Sequence, residues 1–193
     1  MKNLAVFASG SGTNCENLIH YFNESDYISV NLVITNNPYA GVIERTFDMG
    51  VDCYINLFKT EEDFKTLYEV LEEYDVDWII LAGFLKLIPE HLIKRFTGRI
   101  INIHPALLPK YGGKGMYGIN VHKSVISSGE KESGISIHYV NEKYDEGDII
   151  AQFTCPVFPD DSPETLAARV HELEYNHFPL VVESEIMKQS ADF

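Results

Sequence analysis

The chain has 193 residues, 45% hydrophobic and 23% charged, and its 29 acidic against 15 basic side chains give a formal net charge of −14. That balance predicts one well-buried globular domain over residues 1–193. It excludes nucleic acid and anionic membrane as main partners, because both require clustered Lys and Arg to neutralise phosphates and no such cluster is present. A small anionic ligand stays open, since local backbone donors overrule the global sign.

The first apolar run, Leu4 to Ala8, is short for a signal-peptide core and far short of a membrane span, so it predicts a buried strand, Asn3–Ala8. Further strands are expected at Ser29–Thr35, Cys53–Ile55, Trp78–Leu81 and Ile100–Ile103. Helical periodicity falls between them at Asn14–Tyr21, Ala40–Met49, Glu61–Tyr74 and Pro89–Phe96. Val/Ile/Leu-rich strands separated by helices predict an α/β fold with an open, doubly wound, mostly parallel sheet. Beyond it come a helix near Val121–Ser128, an antiparallel pair at Ser136–Val140 and Ile149–Phe158, and a long C-terminal helix from Ser162 to Met187. Ser162-Pro163 provides a capping hydroxyl and a first-turn proline, while Pro179 deep inside should kink or interrupt that helix. Cys15, Cys53 and Cys155 are odd in number, far apart and outside any CxxC pattern. They predict free thiols in a reducing cytoplasm, with no disulfide framework and no metal site.

Ligands of doubly wound folds sit beyond the carboxyl ends of the strands. After strand one, Ser9-Gly10-Ser11-Gly12-Thr13-Asn14 feeds a helix. Such a turn is either a phosphate cradle of backbone N–H groups or a tight βα connection capped by Thr13 or Asn14. It is neither GxGxxG nor a Walker loop, which disfavours dinucleotides and nucleoside triphosphates. After strand four, Leu81-Ala82-Gly83-Phe84-Leu85-Lys86-Leu87-Ile88-Pro89 either walls a pocket or packs into the core. After strand five, alternation puts Asn102 and His104 on one face, and Pro105 stops the ladder behind them. An amide and an imidazole converging there could polarise a carbonyl and move a proton. The acidic turn Tyr144-Asp145-Glu146-Gly147-Asp148 offers a carboxylate, whose reach to His104 spacing alone does not give.

Together "FASGSGTN" (7–14), "LAGFLKLIP" (81–89), "INIHPALLPKY" (101–111), "GISIHYV" (134–140), "DEGDII" (145–150) and "ARVHELEYNHFPLV" (168–181) resemble the phosphoribosylglycinamide formyltransferase family over nearly the whole chain. The resemblance implies transfer of the formyl group of 10-formyltetrahydrofolate to the amine of 5'-phosphoribosylglycinamide, in purine biosynthesis, by a cytoplasmic monomer or homodimer with no metal. It implies catalytic places for Asn102, His104 and Asp145. Gly12, Thr13 and Asn14 would hold the phosphate and Glu174 would contact the ribonucleotide. Leu85, Lys86, Leu87 and Ile88, with Asn102, would line the folate pocket, and the 140–145 loop is expected on its other side. His138 matches a second histidine near the site. Asn102 and His104 would donate to the developing oxyanion, and Asp145 would hold His104 in its charged or correctly oriented form, or relay the amine's proton through water to the leaving nitrogen.

Two departures from the family pattern stand out. The Gly112–Gly118 loop is longer and glycine-rich, which reads as a flap near the substrate, with Lys114 a candidate anion contact, or as a structural detour. Near Thr60–Asp63, where some relatives carry an arginine close to the folate tail, this chain has Glu61 and Glu62, so Lys59 or Lys86 would have to serve. The related methionyl-tRNA enzyme would want a second domain and a basic surface, and a formyltetrahydrofolate hydrolase an extra N-terminal domain.

Overall fold

A computed structural model describes residues 1–191. The chain gathers into two compact units that meet in sequence at Ile100/Ile101.

The first unit is built on strands β1 (Lys2–Phe7), β2 (Ile28–Thr35), β3 (Asp52–Ile55) and β4 (Trp78–Leu81), in the order β3-β2-β1-β4 and all parallel. Helices α1 (Thr13–Phe22), α2 (Val42–Asp48), α3 (Glu61–Glu73) and α4 (Glu90–Arg95) connect them. Leu4 to Phe7 in β1 and Trp78 to Leu81 in β4 are consecutively buried, as expected of parallel strands covered on both faces. The chain order reverses between β1 and β4, and this switch point is where such sheets open a crevice. Ile79 N–H donates to the Arg99 carbonyl (3.0 Å), which aligns the lead-in to the next strand.

The second unit holds β5 (Ile100–His104, from Ile101 on), β6 (Glu132–Tyr139) and β7 (Ile149–Pro156), paired antiparallel in that order. Helices α5 (Ile119–Ser127) and α6 (Pro163–Ala191) complete it, α6 packing on β6, β7 and α5. β5 ends at His104, since Pro105 has no N–H to extend the ladder. Ser162 Oγ accepts from Thr165 N–H (3.2 Å), so α6 starts as its sequence predicts. Pro179 does not interrupt it: helix runs through the proline. Phe178, Val182 and Ile186 around it are fully buried, and their packing outweighs the one backbone bond a proline removes.

The architecture is therefore the expected one: α/β, with parallel strands first, antiparallel strands after, and a long C-terminal helix. No helix among the described residues is long and apolar enough to cross a membrane.

Candidate active site

In the first unit, the loop after β1 is fastened by its backbone. Gly10 carbonyl accepts from Val42 N–H (3.1 Å), Ser11 carbonyl from Arg45 Nε (2.8 Å) and Ser9 carbonyl from Asn37 Nδ2 (3.3 Å). Gly12 is the N-cap of α1 with φ +79°, and no side chain caps the helix. The cap position thus falls on Gly12, not on Thr13 or Asn14. A Cβ at Gly12 would lie 2.5 Å from Val42 Cγ2 and 2.7 Å from its Cα, so only glycine brings α1 and α2 this close. The segment after β4 is tied to the same loop, because Ser9 N–H donates to the Gly83 carbonyl (3.1 Å) and Leu85 N–H donates to Ser9 Oγ (2.9 Å). Leu85, Lys86 and Leu87 are exposed there, whereas Ile88 turns into the core at 2% exposure. Thr60 and Asp63 form a reciprocal capping box for α3.

The second unit holds the titratable cluster. Asn102 lies opposite His138 in the β5–β6 register, with its Nδ2 3.0 Å from His138 Nε2 and 3.5 Å from Asp145 Oδ1. His104, 4% exposed, donates from Nε2 to the Tyr111 carbonyl (2.7 Å), because a carbonyl only accepts, and its Nδ1 faces Asp145 Oδ2 at 3.5 Å. Asp145 also accepts from Gly113 N–H (2.8 Å). The expected convergence of Asn102, His104 and Asp145 is present, and the glycine-rich loop reaches it through Gly113. Tyr111 and Asp145 both hold left-handed backbone (φ +58° and +55°), a strained state that side chains other than glycine adopt at a cost of about 1–3 kcal/mol. Both touch His104, so the strain is spent on placing that ring.

Two opposing effects act on the His104 ring. Burial pushes the His104 pKa below its ordinary 6.5, and the opposing pull of Asp145 and of the Tyr111 carbonyl does not overcome it. Burial thus favours the neutral ring, whereas the Asp145 carboxylate facing Nδ1 favours the charged one. At Asp145 burial acts upward, but the attraction of the His138 and His104 rings when protonated, with the hydrogen bond from Gly113 N–H, holds the carboxyl below the usual 3.8.

Glu174 occupies the buried stripe of α6, in four-residue step with Leu166, Val170, Phe178, Val182 and Ile186, and is 4% exposed. It meets His171 Nδ1 at 2.7 Å, which raises the His171 pKa. His122 on α5 is buried, its pKa lowered by that burial, and its Nδ1 has no hydrogen-bond partner among the described residues. Sequence reasoning named neither His122 nor His171; an acid at an apolar position of a helical stripe was the readable signal for that neighbourhood. It also missed Ser136. Its Oγ donates to the Ala106 carbonyl (2.7 Å) and accepts from Leu108 N–H (2.9 Å) and Gln152 Nε2 (2.8 Å), pinning the loop behind His104. Lys110 pairs with Glu130 (2.8 Å) on the surface, and Lys114 is exposed. Among the described residues, no group of three or more His, Cys, Asp or Glu is placed to hold a metal ion.

Residues 2–182 match the profile of the formyl transferase family. The chain belongs to that family. It is 43% identical over 190 residues to the chloroplastic phosphoribosylglycinamide formyltransferase of Arabidopsis thaliana, covering 94% of this chain and 64% of that protein. It is 36% identical to the phosphoribosylglycinamide formyltransferase of Haemophilus influenzae, covering 94% of this chain and 86% of the relative. Among solved structures, the phosphoribosylglycinamide formyltransferase of Anaplasma phagocytophilum superposes with a TM-score of 0.85 at 33% identity, over 98% of this chain and 88% of that one. The chain thus spans about two thirds of the plant relative's length and most of the bacterial ones.

Proposed function

We propose that this chain transfers the formyl group of 10-formyltetrahydrofolate to the amine of 5'-phosphoribosylglycinamide, giving 5'-phosphoribosyl-N-formylglycinamide. The observation that carries the proposal is the meeting of Asn102, His104 and Asp145, drawn from positions up to 43 residues apart, in a chain 36–43% identical to relatives named for that activity. We read residues 1–193 as a single formyltransferase domain, supported by one family profile running through both units. Three free thiols fit a cytoplasmic setting.

The apolar, exposed Leu85 and Leu87 beside Gly83 suit a flat heteroaromatic ring, so with Lys86 they would hold the folate, while Ile88 anchors the segment from the core. The bound folate supplies an activated formyl carbon. The backbone of Gly12, Thr13 and Asn14, at the N-terminus of α1 where the cap is a glycine, would bind the phosphate. Glu174 would accept a hydrogen bond from the ribonucleotide in a site that burial keeps dry.

Attack of the amine on the formyl carbon puts negative charge on oxygen. Asn102 Nδ2 is the amide donor for it. His104 donates from Nε2 once that N–H turns from the Tyr111 carbonyl to the oxyanion. Asp145, its carboxyl held below the usual carboxylate range, orients the ring and accepts the amine's proton. Passed through water to the folate N10, that proton lets the C–N10 bond break, so that tetrahydrofolate leaves as the formyl carbonyl re-forms.

The test is an absorbance assay of purified protein with 10-formyltetrahydrofolate, with and without the ribonucleotide. Turnover only when both are present is the expected result. Turnover without the ribonucleotide would mean a hydrolase, and binding without turnover a ligand-binding module.

A further inference from the structure

We propose that His138 is a positioning residue that sets the orientation of the Asn102 amide by holding its own proton on Nδ1. The inference rests on the formyl-transfer reading only for its kinetic consequence; the tautomer itself follows from contacts. His138 Nδ1 lies 2.7 Å from the Tyr139 carbonyl, which can only accept, so Nδ1 carries the hydrogen. In the neutral ring Nε2 is then an acceptor, and Asn102 Nδ2 at 3.0 Å is the donor that meets it. His138 Nε2 to Asp145 Oδ1 is 3.7 Å, beyond a hydrogen bond, so the amide takes precedence over the carboxylate. A reversed amide would set Asn102 Oδ1 against both the Nε2 lone pair and the Asp145 carboxylate.

His138 is 2% exposed, so water does not compete for either nitrogen. One N–H of Asn102 is thereby committed to His138. The other, at 3.5 Å from Asp145, is held loosely and remains for the oxyanion.

The surrounding backbone is arranged to keep the Tyr139 carbonyl in place. Tyr139 N–H donates to the Asp148 carbonyl (2.9 Å), and Tyr139 OH donates to buried Glu185 on α6 (2.7 Å). Gly147 lies so close that a Cβ there would fall 1.7 Å from the Tyr139 carbonyl oxygen. The β6–β7 register slips between Ile137 and His138, leaving Ile150 over, and such bulges re-aim a side chain beside a site. The turn that delivers Asp145 thus also presses on the group that holds His138, so carboxylate and amide are placed by one piece of chain.

The experiment has two arms on the full chain. Ring-nitrogen NMR of ¹⁵N-histidine protein should show His138 as the neutral Nδ1–H tautomer; an Nε2–H tautomer or a charged ring at neutral pH overturns the proposal, whatever the enzyme's activity. Kinetically, His138→Leu, which keeps volume but offers no acceptor, should lower kcat by about 10- to 100-fold with little change in KM for the ribonucleotide, the scale of a slightly misplaced group. His138→Gln, whose carbonyl can accept where Nε2 does, should recover most of that loss. Equal loss in both variants, or none in the Leu variant, overturns the assignment, and thermal unfolding of each variant identifies a loss that comes from misfolding. If the parent protein shows no formyl transfer while His138 is the Nδ1–H tautomer, the functional reading fails and the tautomer assignment stands.

Discussion

The two units solve the problem of placing functional groups in opposite ways. In the first, the candidate binding elements are backbone: a glycine at φ +79° and loop carbonyls tied to α2, with the N–H groups of α1 uncapped by any side chain. In the second, they are side chains from β5, β6, the 145 turn and α6, each oriented by a partner. A backbone site depends on one residue being small. A side-chain site depends on many residues meeting, and its parts are separately breakable.

The largest expected effect lies in the second unit. His104→Ala, folded by circular dichroism, should lose about 10²- to 10³-fold in kcat, the usual loss for one oxyanion donor. A rate within about tenfold of the parent would remove His104 from the reaction. Gly12→Ala tests the backbone site: the forced contact with Val42 and the left-handed φ together should cost about 2–3 kcal/mol in urea unfolding. Gly113→Ala, at φ +92° with nothing within 4 Å of its Cβ, should cost only about 1 kcal/mol, the conformational penalty alone. Equal costs would mean that close approach of α1 and α2 is not what Gly12 is for.

Asp161→Asn is next. Arg169 grips Asp161 in two hydrogen bonds (2.8 and 2.9 Å), and with Phe158 N–H and Thr165 Oγ1 it holds the carboxyl below the usual 3.8. A depressed carboxylate pKa stabilises the fold above pH 3.8, and that stability is lost as pH falls towards the folded value. Removing the charge should cost about 1–2 kcal/mol at neutral pH and leave kcat unchanged.

The smallest effect is His171. Glu174 raises its pKa above 6.5, so its contribution is complete below 6.5 and disappears as pH rises through the folded value. With the His171 side chain half exposed, His171→Gln should cost about 0.5 kcal/mol in mildly acidic buffer and nothing in alkaline buffer. His104 and His122, whose pKa values burial lowers, run the other way: the stability of keeping them neutral is lost as pH falls below 6.5. A stability difference between parent and His171→Gln that grows with pH would overturn the assigned sign.

Much of this was legible in the chain. Trp78–Leu81 was readable as a strand to the residue, because four consecutive apolar residues between turn signals suit a strand buried on both faces. The end of β5 was legible from Pro105, and the start of α6 from Ser162-Pro163. The continuity of α6 through Pro179 was not, since it depends on what Phe178 and Val182 pack against. The burial that opposes a charge on His104 was hidden for the same kind of reason: it depends on what packs around the ring.

The amino-acid order by itself determined the local elements, the glycine that α1 needs, and the pairing of Asn102 with His104 on one strand face, because these depend on steric rules within a few residues. Only tertiary structure decided that Asp145 and His138 meet that pair, which groups face each ring nitrogen, and how deeply His104 is buried. Those outcomes arise from long-range register, hydrogen-bond partners and dehydration, none of which a residue carries in its own identity.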